Sequence, residues 1–147
     1  MNSISFPSKE EKFDFRKRLA QVHVPRKNQE AAPVADDEIM IDSSWRIVPL
    51  SNEKVLTRAA KDLQDYFRVG FGLDLPLAET VSEPCITIGV SPEAHQRRCR
   101  IVADRDIVRI TGATAREAAQ GCYRLEDELN LRGESCVKLG DRPYTRL

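Results

Sequence analysis

The 147-residue sequence lacks the features that mark several classes of protein. Its 23 Lys and Arg residues balance 23 Asp and Glu residues, whereas a domain that binds duplex nucleic acid usually carries a basic excess. No apolar run approaches the roughly 18 residues that a membrane-spanning helix needs. The opening residues, MNSISFPSKEEKFDF, contain no apolar segment of the kind found in signal peptides. We therefore expect neither nucleic acid nor a membrane as a partner.

Cysteines are few and widely spaced, at Cys85, Cys99, Cys122 and Cys136. No C-x-x-C pair occurs, so the pattern predicts neither a zinc site nor a redox motif. Because no secretion signal is present, free thiols in a reducing cytoplasm are favoured over a disulfide framework. The expected location is cytoplasmic.

Residues suited to catalysis or metal binding are scarce. His23 and His95 are the only histidines, and each is predicted to lie at the surface, without a carboxylate or cysteine at ligand spacing. Cys122 falls on the apolar face of a predicted helix, which favours a buried and inert thiol. Glu126, Asp127 and Glu128 are consecutive, so their side chains should point about 100° apart and should not converge on one bond. We predict no catalytic, cofactor-binding or metal-binding residue.

Glycine-rich phosphate loops are also missing. The stretch GATAREAAQG has neither the lysine nor the glycine spacing of a P-loop, and Gly112 alone is not a dinucleotide fingerprint. The favoured interpretation is a tight turn at Gly112 that leads into a capped helix. Gly121 within that helix predicts close packing against the sheet or the other helix.

Aromatic residues are limited to one Trp, three Tyr and five Phe. Tyr66 and Phe67 are predicted to face the core. The remaining candidates for stacking on a sugar ring are Trp45, Phe71, Tyr123 and Tyr144, and packing in the core is the favoured role for each.

A regular pattern of elements begins at Trp45. The run WRIVPL predicts a strand, and a helix capped by Ser51 or Asn52 follows and ends at Gly70 and Gly72. CITIGV predicts a second strand, and two β-rich runs around ADRD predict a hairpin. Thr114 and Glu117 match a capping box that opens the last helix, with Gly133 as its stop signal. This helix should bury Ala115, Ala118, Ala119, Cys122, Leu125 and Leu129, and should leave Arg116, Glu117, Arg124, Asp127 and Glu128 largely on its other face.

This order predicts an α/β fold in which two amphipathic helices pack on a mixed β-sheet as a two-layer sandwich. The predicted divisions are an N-terminal arm (1–44), an α/β sandwich domain (45–133) and a linker (134–147). In the arm, both a short helix after Ser8 and an extended conformation fit the pattern. Its basic cluster at residues 16–18 is interpreted as a solvated face rather than a nucleic-acid contact.

The same elements resemble a known module. The segments AAKDLQDYFRVGFGLDLPL, ITIGV and IVADRDIVRITGATAREAAQGCYRLEDEL are similar to the non-catalytic domain that precedes the barrel of family 20 glycoside hydrolases, which include the β-N-acetylhexosaminidases. Similar modules precede the barrel of α-glucuronidases. The resemblance covers about residues 45–133 and is carried by the following residues: Leu75, Pro76, Ile88, Gly89, Ile110, Thr111, Gly112, Arg116, Gly121, Tyr123, Leu125 and Leu129.

The resemblance implies an accessory domain that is itself not catalytic and that packs on a downstream (β/α)8 barrel of the same polypeptide. The paired Asp and Glu of the family lie in that barrel, and carbohydrate would be bound there. We expect the segment after the last helix, with Leu131, Val137, Leu139, Tyr144 and Leu147, to pack poorly in the absence of the barrel. The alternative is a stand-alone module that binds a protein or a carbohydrate.

Overall fold

The computed structural model describes residues 23–91 and 98–145. The elements follow in the order β1 (Glu38–Met40), β2 (Arg46–Pro49), α1 (Lys54–Phe71), β3 (Cys85–Val90), β4 (Arg98–Ala103), β5 (Ile107–Gly112), α2 (Ala115–Arg132), β6 (Cys136–Lys138) and β7 (Gly140–Thr145). The basic cluster at 16–18, the arm before residue 23, His95 and Leu147 lie outside the described residues.

Five strands form the main sheet in the order β2-β3-β5-β4-β7. Strands β2, β3 and β5 are parallel, whereas β4 runs antiparallel to both β5 and β7. The sheet is therefore mixed, and β4 with β5 forms the predicted hairpin. Both helices pack on this sheet and against each other, which confirms the two-layer α/β sandwich.

The core lies between the sheet and the helices. The register places Ile47, Ile86 and Val108 side by side across the three parallel strands, and each is fully buried. Helix α1 covers the sheet with an apolar face that recurs every three or four positions and buries Leu56, Ala59, Ala60, Leu63, Tyr66, Phe67 and Gly70. The predicted core positions of Tyr66 and Phe67 are confirmed.

The helix ends differ in part from their predicted signals. Thr114 Oγ1 accepts a hydrogen bond from the Glu117 amide at 3.2 Å, as half of the predicted capping box requires. Helix α1 instead starts after Glu53, without a side-chain cap, because the Ser51 hydroxyl accepts from the Glu53 amide in the turn before the helix. Gly72 and Gly133 close the two helices in the left-handed conformation.

Gly70 does not stop α1 but lies inside its last turn. A Cβ atom at this position would come within 3.3 Å of the Arg26 side chain. The glycine therefore allows residues 24–26 to run close to the helix surface, which is the physical reason for its small size here.

Elements also lie outside the predicted 45–133 core. Strand β1 precedes residue 45 and pairs with β6, and β7 adds an edge to the main sheet beside β4. Val137 is 1% exposed and Leu139 packs against the core. The expectation that this segment packs poorly is wrong for these two residues, because hydrogen bonding to β1 and β4 gives the segment partners within the fold itself.

Candidate functional site

Three parts of the fold meet beside the last turns of the two helices. The arm segment, defined as residues 23–28, crosses both helix ends. The Arg26 amide donates to the Gly70 carbonyl at 2.8 Å, and the Asn28 amide donates to the Gly133 carbonyl at 2.7 Å. These bonds use carbonyls that a helix end leaves unpaired, and they hold the arm segment against α1 and α2.

His23 is carried into the fold by this arrangement. Its Nε2 atom lies 3.0 Å from Asp62 Oδ1 on α1, and its ring meets the Tyr66 ring edge-on at a centroid distance of 5.3 Å. The residue is only 8% exposed. The prediction of a surface histidine is wrong, because the backbone bonds of the arm segment were not visible in the sequence pattern.

A carboxyl group from each helix lies beside His23. Asp62 Oδ2 and Glu126 Oε2 are both buried, and neither has a hydrogen-bond partner among the described residues. Glu126 is 8% exposed. Burial raises the pKa of Glu126 to about 9. The neighbouring Asp62 carboxyl adds to the rise, because it can share a proton held by Glu126 and because its negative charge disfavours a second carboxylate.

Other groups around Glu126 modify this effect. The positive charge of Arg26 opposes the rise in the pKa of Glu126, but it is the weakest of the contributions, while Asp127 adds to the rise. The Tyr66 hydroxyl donates to the Glu126 carbonyl at 3.2 Å and so connects α1 to α2. Burial, followed by the charge of Glu126, raises the pKa of Tyr66.

His23, Asp62 and Glu126 together are called the His23 cluster. One potential ligand atom from each residue lies within 4.8 Å of the other two. Such a set can share a proton between its carboxyl groups or bind a cation. Sequence reasoning missed Asp62 entirely, since 39 positions separate it from His23 and no motif connects them.

Two open grooves on the described surface can be compared with the His23 cluster, and neither is lined by it. One of about 590 Å³ is lined by Lys61, Gln64, Asp65, Arg68, Asp74, Leu75, Pro76 and Leu77. The other, of about 500 Å³, is lined by Pro49, Leu50, Ser51, Asn52, Thr57, Leu77, Ala78 and Glu79. Neither groove is flanked by aromatic rings of the kind on which sugars stack.

The three consecutive acidic residues of α2 separate as predicted. Glu126 is buried, Asp127 is exposed, and Glu128 pairs with Arg142 at 2.9 Å. Cys122 is buried, and burial raises the pKa of its thiol, as an inert cysteine requires. Glu117 departs from the prediction, since it is buried at 6% exposure beside the turn at Gly112.

Gly112 and Gly121 each allow α2 to pack closely against its neighbours. A Cβ atom at Gly112 would lie 2.2 Å from the Ala118 amide nitrogen, so the turn into α2 has no room for a larger residue. At Gly121 a Cβ atom would lie 2.5 Å from Ile110 Cγ2. The predicted close packing at Gly121 is confirmed.

The candidate sugar platforms differ in exposure. Trp45 is 4% exposed and Phe71 packs against the core, so neither offers a free ring face. Tyr123 is 52% exposed on α2. Tyr144 lies in β7 opposite Cys99 in the register. Among the candidates whose side chains are described, Trp45, Phe71 and Tyr123, it is Tyr123 that offers an accessible ring.

The two faces of the sandwich have different surface chemistry. The helix-layer surface, defined by Val24, Tyr123 and Leu131, exposes large apolar side chains, and Leu131 is 90% exposed. Exposed ion pairs lie on both faces, between Arg68 and Asp65 on α1, and on the outer face of the sheet from Arg100 to Asp141 at 3.3 Å and from Arg109 to Asp104 at 3.0 Å. Apolar exposure of this kind favours the helix-layer surface as a contact face.

Comparison with known proteins is informative at the level of the fold. No family model matches the chain, and no curated protein matches it. Solved structures do match. The GH20 β-N-acetylhexosaminidase from Streptomyces coelicolor A3(2) aligns with a TM-score of 0.63 and 19% identity, over 79% of this chain and 24% of that chain.

Two further solved structures give the same result. A mutant Streptomyces plicatus β-hexosaminidase in complex with GlcNAc aligns with a TM-score of 0.63 and 14% identity, over 82% of this chain and 28% of that chain. The GH20 exo β-N-acetylglucosaminidase from Vibrio harveyi aligns with a TM-score of 0.53 and 10% identity, over 80% of this chain and 18% of that chain. The chain thus spans between 18% and 28% of the length of these enzymes and shares a fold with part of each.

Among the described residues, no helix combines the length and the apolar character required to cross a bilayer. All four cysteines lie within the described ranges and are buried and unpaired.

Proposed function

We propose that the chain is a non-catalytic accessory domain of a glycoside hydrolase of the β-N-acetylhexosaminidase type, and that it packs against a catalytic barrel of the same polypeptide. Within that enzyme its role is to support the barrel, and the hydrolysis of the sugar linkage takes place in the barrel.

The observation that supports this proposal most strongly is that most of this chain aligns with only a small part of much longer enzymes. About 80% of this chain aligns with only about a quarter of the two Streptomyces enzymes. A fold that recurs as one part of several longer carbohydrate-active enzymes is expected to serve them as a domain. The local sequence resemblance to the module before the barrel points to the same part of those enzymes.

The arrangement of acidic residues supports a non-catalytic role. A glycosidase needs two carboxyl groups that flank a bound sugar, roughly 5 to 10 Å apart. The close pair in this fold, Asp62 and Glu126, lies between the helices and lines neither surface groove. A sugar has no place between these carboxyl groups.

The helix-layer surface is the face proposed to contact the barrel. Leu131 and Tyr123 lie two turns apart on α2, and Val24 lies in the arm segment. Contact with a second domain would remove these apolar groups from water, and isolated soluble domains rarely expose large apolar patches without a use.

The accessible ring of Tyr123 favours a second candidate, a stand-alone module that binds carbohydrate. In that case Tyr123→Ala would abolish binding to chitin oligosaccharides by the 147-residue chain. In the accessory-domain proposal the chain alone binds no sugar, so isothermal titration with these oligosaccharides separates the two functions.

The proposal is tested on the intact gene product. Leu131→Glu on the helix-layer surface should lower its melting temperature, because a charge would be placed in the contact with the barrel. Val81→Glu, at an exposed valine in the loop before β3, serves as the control and should have little effect. Equal effects from the two variants in the intact protein, or turnover of an aryl N-acetyl-β-glucosaminide by the 147-residue chain, would overturn the proposal.

A further inference from the structure

The His23 cluster is not explained by the proposed function, which assigns no role to it. Its three side chains come from three separate parts of the fold, namely the arm segment, α1 and α2. Buried ionisable groups without partners are costly unless something compensates them.

Two carboxylate oxygens in the cluster are left without compensation. His23 Nε2 lies 3.0 Å from Asp62 Oδ1, but no donor group of the described residues reaches Asp62 Oδ2 or Glu126 Oε2, and only a proton shared between the two carboxyl groups would join them. Glu126 is more than nine-tenths buried, so bulk water does not solvate its carboxylate freely. The unpartnered oxygens therefore define the position at which a positively charged ligand would be stabilised.

We propose that His23, Asp62 and Glu126 bind one divalent transition-metal ion of the Zn²⁺ class, which clamps the arm segment to both helices. An imidazole nitrogen and two carboxylate oxygens form a ligand set for such ions, whereas Mg²⁺ and Ca²⁺ prefer oxygen ligands alone. Three protein ligands leave a fourth position for water.

The distances suit this ion. Zinc bonds of about 2.0–2.1 Å imply ligand atoms about 3.3 Å apart in a tetrahedral site. The separation of 3.0 Å between His23 Nε2 and Asp62 Oδ1 is already close to that edge. The other pairs of ligand atoms lie within 4.8 Å of each other. To reach the separation of about 3.3 Å in a tetrahedral site, side-chain rotation has to shorten the longest of these distances by at most about 1.5 Å.

Backbone hydrogen bonds already hold the arm segment against both helices. The Arg26 and Asn28 amides already bind the carbonyls at the ends of α1 and α2, so residue 23 is held near its ligand position before an ion binds. Because the arm segment is already ordered, little conformational entropy is lost when the ion binds, and this favours a high affinity for the ion. Arg26 is a cation close to Glu126, and its Nε atom has no hydrogen-bond partner among the described residues.

The test is zinc binding by the full 147-residue chain after treatment with a chelator. Isothermal titration with ZnCl₂ should give one ion per chain. At a zinc concentration 100-fold above the Kd, the melting temperature should rise by about 5–10 °C. Mg²⁺ and Ca²⁺ at the same concentration should leave the melting temperature unchanged.

Conservative variants, of which the two carboxyl-to-amide changes are isosteric, identify the ligands. His23→Gln, Asp62→Asn and Glu126→Gln should each weaken zinc binding at least about 10-fold. Two controls should bind as the parent chain does: Asp127→Asn, which changes the exposed carboxylate beside Glu126, and His95→Gln, which removes the other histidine. The folded state of every variant is checked by its circular dichroism spectrum.

Three outcomes would overturn the proposal. The first is no zinc binding, which would mean that the carboxyl groups share a proton instead. The second is undiminished binding by all three ligand variants. The third is a Co²⁺-loaded chain with sulfur-to-metal charge-transfer absorption, which would place the ion on a cysteine thiolate.

Discussion

His23 Nε2 lies 3.0 Å from Asp62 Oδ1, although 39 positions separate the two residues in the sequence. The contact depends on the arm segment, whose amides bind the last carbonyls of α1 and α2. The N-terminal arm is thus part of the packed domain from residue 23 onward. It also brings His23 and Arg26 to a place where two carboxyl groups from different helices meet.

The first prediction concerns the pH dependence of stability. Burial and Asp62 raise the pKa of Glu126 from 4.5 to about 9. The folded chain therefore holds this proton more tightly than the unfolded chain, so the stabilisation is complete below pH 4.5 and is lost as the pH rises towards 9. Unfolding by urea in excess chelator should show a free energy of unfolding that falls over this range.

Substitution of Glu126 tests whether this residue causes the pH dependence of stability. Glu126 faces Asp62 on α1 and Arg26 and His23 in the arm segment, and Asp127 neighbours it on α2. Glu126→Gln should flatten the pH dependence and make the chain more stable than the parent at pH 8. Asp127→Asn, at an exposed position, should keep the slope. A parent slope that survives in Glu126→Gln would show that another group titrates.

The second prediction concerns Gly121. A leucine at this position would place its Cβ where Ile110 Cγ2 already lies, 2.5 Å away, and Cys99 Cβ is only 3.4 Å away. We expect Gly121→Leu to lower the free energy of unfolding by about 1–3 kcal/mol. Arg116→Leu, on the exposed side of the same helix, is the matched control. A Gly121→Leu variant as stable as the parent would mean that α2 does not lie this close to the sheet.

The third prediction compares arginines in the last turns of the two helices. Arg132 binds Glu38 through two bonds of 2.8 and 3.0 Å, and it also donates to the Pro33 carbonyl at 3.0 Å. Arg132→Met should cost about 1–3 kcal/mol, because charged and mostly buried hydrogen bonds are lost. Arg68→Met removes the exposed ion pair with Asp65 and should cost less than about 1 kcal/mol. Equal costs would refute the role of Arg132 in fixing β1 to α2.

The local elements could be predicted from the sequence because their signals are local. Apolar spacing in α1, the Thr114 cap and the glycines after both helices each depend on neighbouring residues. The hairpin of β4 and β5 follows from the turn residues around Asp104. Gly121 was also interpretable, since a glycine in mid-helix is costly without a packing reason.

The arrangement that depends on distant pairing could not be predicted in this way. Strand β6 has three residues and pairs with β1, which lies almost a hundred positions earlier, so the sequence around Val137 resembles a linker. The His23 cluster has the same origin. Neither a spacing rule nor a motif connects His23 to Asp62 and Glu126, because only the docked arm segment brings them together.

The central claim is that the chain serves as one domain of a longer glycoside hydrolase. The most direct measurement is the size and activity of the natural protein, captured from its source with an antibody raised against the 147-residue chain. The account predicts a polypeptide several times larger than 16.6 kDa that hydrolyses an aryl N-acetyl-β-glucosaminide. A natural protein of 16.6 kDa, without hydrolase activity in the captured material, would contradict it.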